Sequence, residues 1–278
     1  MTSILAESLG TLWSGRGKQK NKNKEQNGGD KWELVYWGGG AFRGRAELVK
    51  LVFAAADVPC TMQGDGIPEI IAAYPKEPTP VATILAKTPK HFAPPILRNT
   101  ATGFELSQTP AILEYLGEKF GLIPHSLEDR ARANQVVLSA CDFLADGRAA
   151  FHPVKPTESY AIQKDEAAVA VAEFVKEGGR LDRWLTHFAI LIEVNRAVID
   201  SKPGGRYLFG DTITYADCAL YHVLDAAMSQ FPDAWDEPSR EKLRAALEPY
   251  MKLITMHVTL GAYLKADDRA PWAGDSMM

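Results

Sequence analysis

The sequence has 278 residues, 46% of them hydrophobic and 24% charged, which suits two ordinary globular domains and excludes a disordered or fibrous chain. A formal net charge of -4 gives no basic field for a phosphate backbone, so nucleic acid is not an expected partner, and no apolar run approaches a membrane span. The three cysteines, Cys60, Cys141 and Cys218, form no CxxC pair and leave one thiol over in any pairing, so they read as small buried hydrophobes in a reducing compartment. No cluster of His, Cys and carboxylate residues has ligand spacing, so no metal is expected.

Residues 1–30 stand apart. A short apolar stretch leads into a Lys/Asn/Gln/Gly-rich run, which buries too little apolar surface to offset its chain entropy and reads as a disordered extension. From Trp32 the β-forming string Trp-Glu-Leu-Val-Tyr-Trp predicts a strand that ends at Gly38-Gly39-Gly40. A helix follows, with Leu48, Leu51, Val52 and Ala55 on its buried face, and Val58-Pro59 opens a second extended run. Residues 64–94 hold six prolines and two glycines, which predict an irregular connection with at most one short helix, around Thr79 to Lys87. A hairpin comes next, Pro95-Ile96-Leu97 paired with Phe104-Glu105-Leu106. Thr109-Pro110 then reads as N-cap and first residue of a helix that Gly121 ends.

Beyond Leu127 the hydrophobic period is helical. Val137, Cys141 and Leu144 form one stripe, and Leu181, Trp184, Leu185 and Phe188 form another. Thr214-Tyr215-Ala216-Asp217 has capping-box spacing ahead of a further helix. The pattern divides the chain into an extension (1–30), an α/β domain of order βαβ-ββα (31–122), an all-α domain (127–266) and a tail (267–278).

Four segments of the first domain and one of the second resemble the glutathione S-transferase superfamily, cytosolic type, along about Trp32 to Leu264. Leu34-Val35-Tyr36-Trp37 resembles the first strand of the tyrosine-type classes, and Arg43-Gly44-Arg45-Ala46-Glu47 the start of their first helix. Pro94-Pro95-Ile96-Leu97 is similar to the segment with the family's cis-proline, and Leu106-Ser107-Gln108-Thr109 to the turn that binds the glutamyl end of glutathione. Gly210-Asp211 with Thr214-Tyr215-Ala216-Asp217 resembles the capped sixth helix of the C-terminal domain. The resemblance implies a thioredoxin-like N-terminal domain plus an all-α C-terminal domain, the glutathione transferase fold. It also implies a cytoplasmic homodimer with glutathione as co-substrate, adding the thiolate to small hydrophobic electrophiles or using it in a related reduction or isomerisation. The rival reading is a catalytically silent member of the same fold, a ligand-binding or assembly module.

An ordinary thiol, with a pKa of about 8.5, is mostly protonated at neutral pH, so glutathione transfer needs a group that stabilises the thiolate. Tyr36 is the candidate, its hydroxyl donating to the sulfur, against the alternative of a packing tyrosine at a strand end. Arg45 either reinforces the thiolate, binds a glutathione carboxylate or forms a structural ion pair. Thr109 offers a hydroxyl, a backbone N–H and the positive end of a helix to a carboxylate, and Gln108 adds an amide. Pro95 matches the family's cis-proline, and Pro94 before it has no N–H, so it can present only its carbonyl to glutathione. Trp37, Phe42, Phe143 and His152 are the candidates for the electrophile pocket.

Overall fold

A computed structural model describes residues 29–74, 79–87, 90–198 and 205–277. Of the extension expected over residues 1–30, all but Gly29 and Asp30 lies outside the described residues. Strands β1 (Trp32–Val35), β2 (Thr61–Gln63), β3 (Ile96–Asn99) and β4 (Phe104–Ser107) form one sheet in the order β2-β1-β3-β4. β1 runs parallel to β2 and antiparallel to β3, and β3 is antiparallel to β4. Opposite residues share a face, so Leu34 and Leu97 pair on one side while Val35 and Ile96 pair on the other. The first pair joins the main core with helices α1 (Gly44–Ala56) and α4 (Thr109–Phe120); the second packs under α2 (Ile67–Ala73) with Ile67 and Ile70.

The α/β order is therefore the thioredoxin-like one, with three local departures from the sequence reading. Tyr36 is not part of β1: it remains extended, at φ −149°, and a 3-10 turn over Trp37–Gly40 follows, with Gly38 and Gly39 at positive φ. The connection over residues 64–94 holds two helices, α2 and α3 (Val81–Lys87), where one was expected. Pro68, one of the six prolines that predict an irregular connection, lies in the first turn of α2, where a proline loses no intrahelical bond and suits a helix start. The N-cap assigned to Thr109 belongs to Gln108, which takes φ 75°, so that Thr109 becomes the first helical residue.

The second domain comprises α5 (Leu127–Phe151), α6 (Lys164–Val175), α7 (Arg180–Val198), α8 (Tyr215–Gln230), α9 (Pro232–Asp236), α10 (Glu241–Thr255) and α11 (Val258–Leu264). Helix α5 starts at Ser126, whose Oγ accepts the Asp129 N–H at 3.0 Å. Helix α8 is the axis of the domain, buried from Tyr215 to Ala227. Its capping residue Asp217 is fully buried and accepts from the Leu208 N–H, the Thr214 N–H and hydroxyl, and the Tyr250 hydroxyl, at 2.7–2.9 Å. Among the cysteines only Cys218 is buried outright; Cys60 and Cys141 are half-buried, and all three are free.

Residues 266–277 fold back over both domains. Arg269 reaches Glu47 of α1 at 2.8 Å and Asp225 of α8 at 3.1 Å, and Arg43 meets the same Asp225 at 3.0 Å. The Tyr263 hydroxyl donates to Glu47, which carries no exposed surface. The Arg43 guanidinium lies 4.8 Å over the Trp272 ring, and Trp272 stacks on His222 of α8 at 5.3 Å. Met277 is fully buried beside Gly147, where a Cβ would collide with it.

His222 has no hydrogen-bond partner at either ring nitrogen, and its burial pushes the imidazole down to about 3. The folded protein thus holds it neutral, while the unfolded chain takes up a proton near pH 6.5. Its contribution to stability is complete above pH 6.5 and falls as the pH drops from 6.5 towards 3. Between pH 7.5 and pH 5 the loss from this one residue is roughly 2 kcal/mol, at 1.36 kcal/mol per pH unit. His222→Phe keeps a ring on Trp272 and should lose that much less stability over the same interval, measured by urea unfolding at both pH values. Parallel losses in the two proteins would show that the imidazole is already charged in the fold.

Candidate active site

A cleft of about 1220 Å³ opens between the two domains, and the C-terminal segment forms part of its wall. The end of β1 delivers Tyr36 to its floor. This side chain is 2% exposed, its ring packs 5.7 Å from that of Phe42, and its oxygen accepts the backbone N–H of Arg45 at 2.9 Å. That N–H is one of the orphan donors in the first turn of α1, so a helix terminus holds the phenol by its oxygen. The hydroxyl hydrogen is left free for another acceptor. Gly44, at φ +52°, makes the approach possible, because a Cβ there would fall on the Tyr36 hydroxyl.

Burial raises the pKa of Tyr36, and the Arg45 N–H together with the charges of Arg45 and Arg148 offsets only part of this. The net shift is upward, so the group is a phenol at neutral pH, a donor rather than an acceptor.

Across the floor, the Pro94-Pro95 peptide bond is cis, and both prolines line the cleft. Beside them the turn into α4 brings Gln108 and Thr109 to the same wall. Thr109 is 2% exposed, and its Oγ1 is buried without a hydrogen-bond partner. As the first helical residue it also presents a backbone N–H with no carbonyl one turn back to accept it. A buried polar atom without a partner costs roughly 1–3 kcal/mol, which a ligand acceptor would recover.

The structure thus brings Tyr36, Arg45, Pro94, Pro95, Gln108 and Thr109 together on one cleft, with Trp37, Phe42 and His152 on its rim and far wall. Phe143, expected in the electrophile pocket, is elsewhere. It is fully buried among Phe174, Trp184 and Phe188 because it falls on the inward stripe of α5. His152 is 6% exposed and tied to the loop after α5, its Nδ1 lying 3.0 Å from the Glu158 carbonyl.

Sequence reasoning missed Arg148 and the residues Trp272, Asp275 and Ser276. Arg148 carried one usable signal, its place four residues before His152, which follows α5 directly; the tail carried none, since nothing local indicates where a terminal segment returns.

A family profile described as "Glutathione S-transferase, C-terminal domain" matches residues 151–267. A glutathione S-transferase of Plasmodium yoelii yoelii is 25% identical over 196 residues, 69% of this chain and 77% of that protein. "Glutathione S-transferase 3" of Caenorhabditis elegans is 30% identical over 118 residues, 42% of this chain and 50% of its own length. Among solved structures, the sigma class enzyme of Fasciola hepatica superposes with a TM-score of 0.60 at 20% identity, covering 85% of this chain and 96% of that one.

The Gly44 contact gives a test that needs no ligand. Gly44→Ala forces a side chain into a left-handed backbone and onto the Tyr36 hydroxyl, so it should cost about 1–3 kcal/mol of stability. The urea midpoint measures it, and an unchanged midpoint would mean that the phenol does not sit against the start of α1.

Proposed function

Because this chain belongs to the glutathione S-transferase superfamily of enzymes, we propose that its cleft binds glutathione and adds the thiolate to a hydrophobic electrophile. The observation that carries this reading is the Tyr36 hydroxyl, buried at the cleft floor, protonated, and held through its oxygen by the Arg45 N–H so that its hydrogen is available to a sulfur.

In this reading the γ-glutamyl carboxylate of glutathione docks at the first turn of α4, on the Thr109 N–H and hydroxyl, with the Gln108 amide beside it. The cysteinyl backbone lies along Pro94-Pro95, where the Pro94 carbonyl is an acceptor and no donor is available from the same residue. The thiol then meets Tyr36. A hydrogen bond to a charged group is worth about 1.5–3 kcal/mol, which at 1.36 kcal/mol per unit lowers the thiol pKa by roughly one to two units. Arg45 adds positive charge at the same place. The thiol proton passes to solvent water, the thiolate sulfur forms its bond to the electrophilic carbon, and the negative charge leaves with the leaving group or, in an addition, with the displaced π electrons, which then take up a proton from water. The aromatic surfaces of Trp37 and Phe42 would shelter an apolar substrate from water.

The same reading makes the protein a homodimer acting in the cytoplasm, and its three cysteines, all free, suit a reducing compartment.

Tyr36→Phe keeps the ring and removes the donor. Its kcat/KM with glutathione and an aryl halide should fall by about tenfold to a hundredfold at neutral pH. Full turnover in the variant would place thiolate stabilisation elsewhere, and a wild-type protein that binds no glutathione would favour the silent module. Thr109→Val removes only the hydroxyl, so calorimetry should show the glutathione Kd weakening by roughly fivefold to tenfold, about 1 kcal/mol. An unchanged Kd would mean that the carboxylate does not reach Oγ1.

A further inference from the structure

Among the described residues, Arg43, Arg98, Arg240 and Arg269 are buried or half-buried and each meets a carboxylate, Asp225, Asp65, Asp182 and Glu47 in turn, at 2.5–3.0 Å. The two arginines that line the cleft make no such pair: one is Arg45 and the other is Arg148. Arg148 sits in the last turn of α5 on the wall of the cleft, and all its hydrogen-bond partners among the described residues are neutral. Nη1 donates to Ser276 Oγ at 3.4 Å and lies 3.5 Å from His152 Nε2, while Nη2 donates to the Pro156 carbonyl at 2.8 Å. Burial opposes its charge, the nearby Tyr36 phenol and Asp275 favour it, although Asp275 makes no ion pair with it, and Arg45, the second cation of the cleft, opposes it. These contacts fix the guanidinium in place and leave donors unused. A partly desolvated cation without a counter-ion is costly, and an incoming anion recovers that cost.

Glutathione, on the reading above, places its γ-glutamyl carboxylate at Thr109 and its thiolate at Tyr36, both on the thioredoxin-like side. Arg148 faces the same cleft from the helical domain, among residues of the loop after α5 and of the C-terminal segment. We propose that Arg148 receives a carboxylate carried by the electrophile itself, so that the favoured electrophile is an amphipathic acid whose reactive carbon lies at the end away from its charge. This rests on the transferase reading and narrows its substrate class. With an α,β-unsaturated aldehyde the thiolate sulfur bonds to the β-carbon, the π electrons move to the carbonyl oxygen, and the enolate takes a proton from water at the α-carbon. The carboxylate is unchanged throughout and serves only to orient the chain, with Trp37, Phe42 and Trp272 supplying apolar surface between the two ends.

The test compares a 2-alkenal bearing a terminal carboxylate with its methyl ester, and the corresponding saturated acid and ester as unreactive ligands read by tryptophan fluorescence. Wild-type protein should prefer the acid by roughly tenfold in kcat/KM and in binding. Arg148→Gln should bring both ratios to about one, and Arg148→Lys, which keeps the charge but not the fork, should retain part of the preference. Thermal unfolding of both variants separates this from a loosened C-terminal segment, since the lysine variant restores selectivity only if the charge is read. Equal ratios in wild type and Arg148→Gln would overturn the proposal. So would a loss that appears in the Kd of glutathione measured without any electrophile, because Arg148 would then hold the glycine carboxylate of glutathione. Arg148-dependent binding of the saturated acid in a protein that turns over neither aldehyde would support the anion site while sinking the transferase reading.

Discussion

The hydrogen bond from the Arg45 N–H to the Tyr36 oxygen, 2.9 Å long, is the contact around which this cleft is organised. It occupies an acceptor site of the phenol with a donor that a helix start leaves unpaired, so the hydroxyl can give its own hydrogen to a ligand without competition from the protein. The geometry demands that backbone and phenol nearly touch, which is why a glycine in left-handed conformation precedes Arg45. The same helix start carries Arg43 outward to Asp225 and Trp272. One turn of α1 therefore ties the cleft floor to the helical domain and to the C-terminal segment.

That tie is ionic and buried. Glu47, Asp225, Arg43 and Arg269 form a network in which burial pushes the Glu47 carboxyl up and the charges of Lys50 and Arg269 outweigh it, leaving it below its usual value. Asp225 has the opposite balance, burial prevailing over Arg269 and Arg43. Such networks add little net stability against well-packed apolar side chains, yet removing one member strands the others. Here the network sets the position of residues 266–277, which form one wall of the cleft, and so links the shape of the electrophile side to α1.

Much of this was legible in the sequence because it depended on local chemistry. The β1 string placed Tyr36, and the spacing Thr214 to Asp217 announced the start of α8, where the observed capping contacts follow from the residue types alone. Thr109 was placed on the correct turn but one position out, since a glutamine with positive φ at the cap is not something residue preference suggests. Helix α2 was not legible in the proline-rich connection, because a proline such as Pro68 looks the same at a helix start as in a loop until the following residues are seen to pack, as Ile70 does under the sheet. Phe143 and Arg148 lie on the same helix and went opposite ways, one into the core and one into the cleft, and that choice depends on which neighbours pack on α5 rather than on α5 itself. The return of the C-terminal segment is a long-range event with no local signal.

The most direct measurement is the ultraviolet thiolate absorbance of glutathione bound to the wild-type protein, followed against pH. If Tyr36 donates from its held position, the bound thiol titrates roughly one to two units below the free value of about 8.5. A bound thiol that titrates at or above the free value would contradict the assignment, because burial in the cleft would then be acting on the sulfur with no donor to oppose it.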